Sequence, residues 1–251
     1  MQTGAYVGGE ELKRIAFVGI LVFWNPGVAQ DLDAREKMLF VGNSFTLAHG
    51  GLENHVRELA ASEMPPRLIQ ADSNSRGGAT LQSRYARSEV HGTIRNGDYD
   101  VVILQGDLPE LTEHSVDSFL RHARLFDAEI RDAGSETMFY MTWPYERLNW
   151  ISLEEIADAH RDISIELDAS VAPVGVAFDR SLRERADLSM LGRDREHQSI
   201  HGMYLAACVV YTSLFGVSPE GLAYAPGGVS AEEAAFLQRI AWESIQEWQN
   251  R

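Results

Sequence analysis

Short apolar runs alternate along the chain with longer segments in which apolar residues recur every three or four positions. The runs are typical of strands buried in a sheet, and the periodic segments are typical of helices with one buried face. The pattern predicts strands at 38–41, 68–71, 100–104 and 137–142. It predicts helices at about 51–62, 116–132 and 152–166. Residues 172–178 are predicted to form a last short strand or an extended loop.

Two further helices are predicted near the end of the chain. An apolar helix begins near Gly202 and covers Tyr204 to Leu214, and the last helix begins at a capping box made by Ser230 and Glu233. Strands that alternate with helices through short connections predict a parallel sheet between two layers of helices. We therefore expect an α/β protein.

The composition indicates one folded domain. Of 251 residues, 45% are hydrophobic and 24% are charged, and this length can bury a single large core. The formal net charge of −15 repels nucleic acid and anionic membranes and favours a neutral or cationic substrate. The single cysteine, Cys208, lies in the apolar helix and is predicted to be a buried small side chain. Nothing in the sequence predicts an oligomeric state.

Residues 1–29 have the pattern of an export signal. Two basic residues precede the apolar run 15–24, and small residues follow it up to Ala29, as a signal peptidase requires. The alternatives are a buried strand or a membrane anchor, but ten apolar residues are too few to span ~30 Å of hydrocarbon as a helix. We expect cleavage after Ala29, no stable membrane insertion, and a secreted or periplasmic domain of residues 30–251.

A serine directly follows the first predicted strand. Residues 42–46 read Gly-Asn-Ser-Phe-Thr, so the strand ends in a small polar turn that carries Ser44. Sites of open α/β sheets form at the carboxyl ends of their strands, and this makes Ser44 a candidate nucleophile. The alternative is an ordinary strand-to-helix turn in which Ser44 is the helix N-cap.

A candidate base and its orienting carboxylate come much later in the chain. A serine hydroxyl is a weak nucleophile until a base removes its proton, and an imidazole does this best when a carboxylate fixes its tautomer. Asp194 and His197 provide these two groups just before the apolar helix, where a turn would direct both side chains to one site. Taken alone, such a pair is also typical of a solvated loop.

Together, the two segments resemble the SGNH (GDSL-like) hydrolase superfamily. The first block is the Gly-Asn-Ser-Phe-Thr of 42–46, and the last is Asp194 to His197 followed by Gly-x-Tyr-Leu-Ala-Ala. The resemblance implies a three-layer α/β/α, flavodoxin-like fold with a parallel sheet of about five strands. It also implies a triad of Ser44, His197 and Asp194 in an ester hydrolase that needs no cofactor.

The resemblance further implies an oxyanion hole. Residues 75–81 are similar to the second family block, in which a glycine N–H is a donor, and this assigns Gly78 to the role with Gly77 as the alternative. The N–H of Ser44 is another donor. The third-block asparagine of the family is absent after the strand 100–104, and Gln105 carries the same amide and is the predicted substitute.

The implied reaction is hydrolysis of a small acyl ester. The expected partners are small-molecule or carbohydrate esters, since acetylated sugars are substrates that the family often uses. Trp143, Tyr145 and Trp150 follow the fourth predicted strand and are either a wall for stacking a sugar or, as is commoner for such residues, packing in the core or under a lid.

Two other functions are open. Asp194, His197 and His201 are close enough in sequence to be the zinc ligands of a metal-dependent hydrolase, although Ser44 then has no role. The absent third-block asparagine motivates another alternative, a carbohydrate-binding protein that has kept the fold and lost catalysis. The presence of Ser44, Asp194 and His197 argues against it.

Overall fold

The computed structural model describes Met1 and residues 35–106, 115–147 and 150–250. Apart from Met1, the export signal expected at 1–29 lies outside these residues, and both the signal and the mature domain of 30–251 stay predictions. None of the helices in the described part of the chain is long and apolar enough to cross a bilayer.

Five parallel strands form one sheet. Their bounds are Lys37–Val41 (β1), Gln70–Ser73 (β2), Val101–Gln105 (β3), Glu136–Tyr140 (β4) and Ser170–Ala172 (β5). They lie in the order β2-β1-β3-β4-β5, so the chain leaves β1 toward β2 on one side and later returns to place β3 on the other. Ligand sites of such sheets lie where the strand order changes direction, at the carboxyl ends of the strands.

Helices cover both faces of the sheet. Their bounds are Ser44–Leu47 (α1), Leu52–Ala61 (α2), Leu81–Tyr85 (α3), Ser88–Asn96 (α4), Asp117–Asp132 (α5), Leu153–Leu167 (α6), Val174–Glu184 (α7), Ile200–Phe215 (α8) and Ala231–Gln249 (α9). Side chains of α2, α8 and α9 pack against one face, and those of α4, α5 and α6 pack against the other. Strands covered on both sides are buried along nearly their whole length, which explains their continuous apolar runs.

The predicted three-layer α/β/α arrangement with a five-stranded parallel sheet is confirmed, with several differences in its elements. The helices α3 and α4 and the strand β5 were not predicted, and the strand expected at 137–142 covers Glu136–Tyr140. The strand expected at 68–71 begins later, at Gln70. The segment after Ala172 was expected to be strand or loop, and it is α7. Val174, Ala177 and Phe178 face the core at helical spacing, but the residues between them are also apolar, so the period is hidden in the sequence.

Candidate active site

The turn after β1 places Ser44 at the first position of α1. The N-cap of this helix is Asn43, whose Oδ1 accepts the N–H of Phe45 at 3.0 Å. The alternative in which Ser44 is the N-cap is therefore wrong. Because Asn43 caps the helix, the hydroxyl of Ser44 is available for another contact.

That contact is with His197. The Nε2 of His197 lies 2.9 Å from the Oγ of Ser44, and its Nδ1 lies 2.8 Å from Oδ2 of Asp194. The structure thus brings together the three residues that the sequence singled out. A carboxylate on Nδ1 leaves Nε2 as the acceptor in a neutral imidazole, the tautomer suited to receive a hydroxyl proton.

Asp194 also shapes the loop that carries it. We call residues 191–198, between α7 and α8, the triad loop. The Oδ1 of Asp194 accepts the N–H groups of Glu196 and His197, each at 3.1 Å, and Arg195 adopts a left-handed φ of 55°. The hydrogen bond from the His197 ring, together with these backbone bonds, lowers the pKa of Asp194. Asp194 is therefore ionised throughout the neutral range.

The loop after β2 lies next to the turn that carries Ser44. The N–H of Arg76 donates to the Gly42 carbonyl at 3.0 Å, and Nδ2 of Asn43 donates to the Ala79 carbonyl at 3.1 Å. Gly78 lies between these two anchors with a φ of +67°, a conformation that favours glycine. Asn43 was not predicted as a site residue, although its place directly before Ser44 was a signal for it.

Gln105, at the end of β3, lies beneath the turn. Its Oε1 accepts the N–H of Asn43 at 2.8 Å and the hydroxyl of Thr46 at 3.1 Å, and its Nε2 donates to the Gly106 carbonyl at 3.0 Å. The side chain is buried, with 2% of its surface exposed. Both ends of the amide thus bind the backbone, one N–H of Nε2 remains for another acceptor, and the role of Gln105 as a donor to an oxyanion stays a prediction.

The aromatic residues after β4 pack in the interior. Trp143 and Tyr145 are 2% and 3% exposed, and their rings lie 5.0 and 5.8 Å from the ring of Phe45. Trp150 is half-buried against the hydrophobic cluster on the other face of the sheet. The core-packing alternative thus describes Trp143 and Tyr145, and a sugar-stacking wall made of them is excluded by their burial.

The metal alternative does not fit the geometry. His197 is engaged with Ser44 and Asp194, whereas Nε2 of His201 faces a carboxylate oxygen of Glu233 at 3.4 Å. Among the residues that the structure describes, no group of three histidine, cysteine, aspartate or glutamate side chains is arranged to hold a metal ion.

This chain is similar to known proteins in its structure. No family model and no curated protein matches this chain. A DUF4886 family protein from Bacteroides uniformis has a TM-score of 0.67 at 17% identity, over 84% of this chain and 95% of that one. A protein from Slackia heliotrinireducens, described provisionally as an SGNH hydrolase, has a TM-score of 0.59 at 22% identity, over 72% and 99%. The chain has the SGNH hydrolase fold.

An acetylxylan esterase from Geobacillus stearothermophilus is similar as well, with a TM-score of 0.56 at 18% identity over 73% of this chain and 95% of that one. The resemblance noted in the sequence is confirmed for the fold. In this SGNH fold, Ser44, Gly78 and Gln105 follow or end three adjacent strands, β1, β2 and β3. They therefore share one edge of the sheet, to which the triad loop brings His197.

Proposed function

We propose that the protein is a serine esterase of the SGNH type that hydrolyses a small acyl ester. The observation that carries the proposal is the unbroken line of hydrogen bonds from Ser44 Oγ through the His197 ring to Asp194, with lengths of 2.9 and 2.8 Å. Such a line gives a nucleophile, a base and a group that orients the base, which acyl transfer requires.

In the proposed mechanism, His197 Nε2 takes the hydroxyl proton as Ser44 Oγ attacks the ester carbonyl carbon. The tetrahedral intermediate collapses when the imidazolium returns that proton to the leaving alcohol, and an acyl-Ser44 ester remains. His197 then takes a proton from water, the hydroxide attacks the acyl carbon, and protonation of Ser44 releases the carboxylic acid. Asp194 stabilises the imidazolium in both steps and stays ionised.

Two backbone groups are proposed to bind the oxyanion. The N–H of Ser44 is at the first position of α1, where a helix offers it no internal partner. The N–H of Gly78 is the second donor, and each well-placed donor is worth roughly 3 kcal/mol of transition-state stabilisation. We assign Gln105 a supporting role instead: its oxygen fixes Asn43 and thereby the orientation of the Ser44 N–H.

The proposed substrate is an acetyl ester, with acetylated carbohydrate as the preferred class. Support comes from two proteins of the same fold, the acetylxylan esterase from Geobacillus stearothermophilus and the acetyl xylan esterase AlAXEase, which has a TM-score of 0.57 at 16% identity. Such a substrate lies outside the cytoplasm, in agreement with the export signal expected at residues 1–29.

A substrate panel with two serine variants tests the proposal. Nitrophenyl acetate, butyrate and octanoate, together with acetylated xylan, are offered to the wild type, to Ser44→Ala and to the control Ser88→Ala, whose exposed serine begins α4. We expect hydrolysis of the short esters by the wild type and the control, and none by Ser44→Ala.

Covalent labelling gives an independent readout. A serine-directed phosphonate should add one group at Ser44, as located by peptide mass spectrometry, in the wild type and in Ser88→Ala. Equal turnover in Ser44→Ala and the wild type would refute the proposal that the protein is a serine esterase. Binding of acetylated xylan without any hydrolysis would favour the alternative of a carbohydrate-binding protein without catalysis.

A further inference from the structure

The triad loop is closed on itself. Its end residues, Leu191 and Gln198, form an antiparallel bridge, and the N–H of Gly192 donates to the His197 carbonyl at 2.7 Å. Asp194 and His197 therefore move as one unit. The distance from this unit to Ser44 depends on contacts between the triad loop and other parts of the chain.

Those contacts come from two directions. The Nε2 of Gln198 donates to the Phe45 carbonyl at 2.5 Å, and the Nε2 of His49 donates to the Gln198 carbonyl at 2.9 Å, so the end of the loop is fixed to the segment that carries Ser44. From the other direction, the indole Nε1 of Trp143 donates to the Glu196 carbonyl at 3.1 Å. Glu196 is the residue before the proposed base.

The indole of Trp143 is itself held firmly. Its ring stacks on Phe178 at 4.3 Å with an interplanar angle of 22°, and it lies 5.0 Å from the ring of Phe45. The ring of Phe45 in turn lies 5.4 Å from that of His197. Trp143 thus contacts the residue after the nucleophile and also binds the residue before the base. A buried side chain in contact with both has little freedom to move.

A second contact to Glu196 is weaker. Arg147 binds the Glu196 carboxylate with two hydrogen bonds of 2.9 and 2.6 Å, but its side chain is 53% exposed. Water and salt screen an exposed ion pair, whereas the hydrogen bond from Trp143 is partly buried and its donor side chain is 2% exposed. Loss of the indole N–H also leaves the Glu196 carbonyl without this donor.

We infer that Trp143 is a positioning residue: its indole N–H holds the triad loop so that His197 stays in hydrogen-bond reach of Ser44. The inference rests on the proposed esterase function. It concerns a residue that touches no reacting atom and acts through Glu196. A displacement of His197 by about 1 Å is enough to slow acyl transfer strongly.

Trp143→Phe tests the inference because it keeps an aromatic ring and removes the N–H. We expect kcat on nitrophenyl acetate to fall about tenfold, with KM changed less than about twofold, since substrate binding is untouched. The matched control is Trp248→Phe in α9, where the indole packs against the Arg161 guanidinium at 4.6 Å. The control should retain the wild-type kcat.

A double-mutant cycle separates positioning from general stability. If Trp143 acts through the loop that carries Asp194, the losses of Trp143→Phe and Asp194→Asn will be less than additive in kcat. Fully additive losses, or a wild-type kcat in Trp143→Phe, would overturn the inference.

Tryptic cleavage gives a readout that needs no activity. Arg193 and Arg195 are exposed in the triad loop, and cleavage after them should be faster in Trp143→Phe than in the wild type or Trp248→Phe. Unchanged cleavage there would overturn the inference even if kcat fell. If the wild type shows no hydrolysis that depends on Ser44, the proposed function fails, and the cleavage rates still decide whether Trp143 holds the loop.

Discussion

The side-chain oxygen of Gln105 accepts the backbone N–H of Asn43 at 2.8 Å and so joins the end of β3 to the turn that carries Ser44. Gly42 makes this approach feasible. A Cβ on residue 42 would lie 2.7 Å from that oxygen and 2.4 Å from Oγ1 of Thr46. The glycine of the first sequence block therefore leaves the space in which Gln105 and Thr46 pack beneath the turn that carries Ser44.

Gly42→Ala is expected to damage both stability and activity. The added methyl group forces Gln105 and Thr46 apart, and overpacking of this kind costs about 1–3 kcal/mol. Urea unfolding and nitrophenyl acetate turnover measure the two effects. The matched control is Gly92→Ala in α4, where a Cβ meets nothing within 4 Å and a gain of about 0.5–1 kcal/mol is expected. Equal stabilities of the two variants would contradict this account.

Two substitutions of Gln105 distinguish its roles. Gln105→Glu keeps an oxygen for Asn43, and a buried carboxyl that is protonated can also donate to the Gly106 carbonyl. Gln105→Leu keeps neither bond. We expect Gln105→Glu to retain more activity than Gln105→Leu. Lower activity in Gln105→Glu than in Gln105→Leu would mean that a carboxyl lies next to the developing oxyanion and harms the reaction. That result would support the role of Gln105 as an oxyanion donor.

The triad residues should act as one unit. Asp194→Asn is expected to lower kcat with little change in KM, because an amide stabilises no imidazolium and can select the wrong tautomer. His197→Ala should be equal or worse, and the double variant should resemble the poorer single one. Since hydrogen bonds hold the pKa of Asp194 below its usual range, Asp194 should stay ionised when the medium is made mildly acidic. Additive losses would place the base elsewhere.

His160 should make stability depend on pH. It is fully buried in α6, 4.9 Å from the ring of Phe119, and this burial lowers its pKa from 6.5 to about 4. Above pH 6.5 the imidazole is neutral in both states, and as pH falls toward 4 only the unfolded chain gains the proton. The free energy of unfolding thus falls by roughly 3 kcal/mol between pH 6.5 and pH 4.

His160→Leu removes that proton uptake. We expect its unfolding free energy to be close to that of the wild type at pH 7.5 and higher by roughly 2–3 kcal/mol at pH 4.5. Urea unfolding at both pH values measures the difference. If the unfolding free energy of His160→Leu falls between pH 7.5 and pH 4.5 as much as that of the wild type, another group causes the acid sensitivity.

The candidate site was predictable where one short segment contains both the chemistry and its position. Ser44 follows an apolar strand and a glycine turn, and Asp194 and His197 are three residues apart before a helix, so local sequence placed them. Gln105 was placed at the strand end for the same reason. The hydrogen bonds of its amide could not be predicted, because they require that residue 42 has no side chain. Gly42 is 63 positions away in the sequence.

Contacts between distant segments of the chain could not be predicted from the sequence. Nothing in the residues around Trp143 indicates that its indole binds the Glu196 carbonyl, since backbone acceptors leave no trace in a sequence. The start of α7 was missed for a different reason: an almost continuous apolar run has no visible period. The strands β1, β3 and β4 were predictable because each is largely a local apolar run, whereas β2 has the mostly polar sequence Gln-Ala-Asp-Ser.

The pair formed by Ser44 and His197 joins residues 153 positions apart, one after the first strand and one after the last. Contacts of such sequence separation have a high entropic cost of loop closure and dominate the contact order that slows folding. A refolding chain should therefore regain helical content before Ser44 reacts with a phosphonate. If the proposed function is correct, chains that have not finished folding have no hydrolase activity inside the cell that makes them, because a serine without its base is a weak nucleophile.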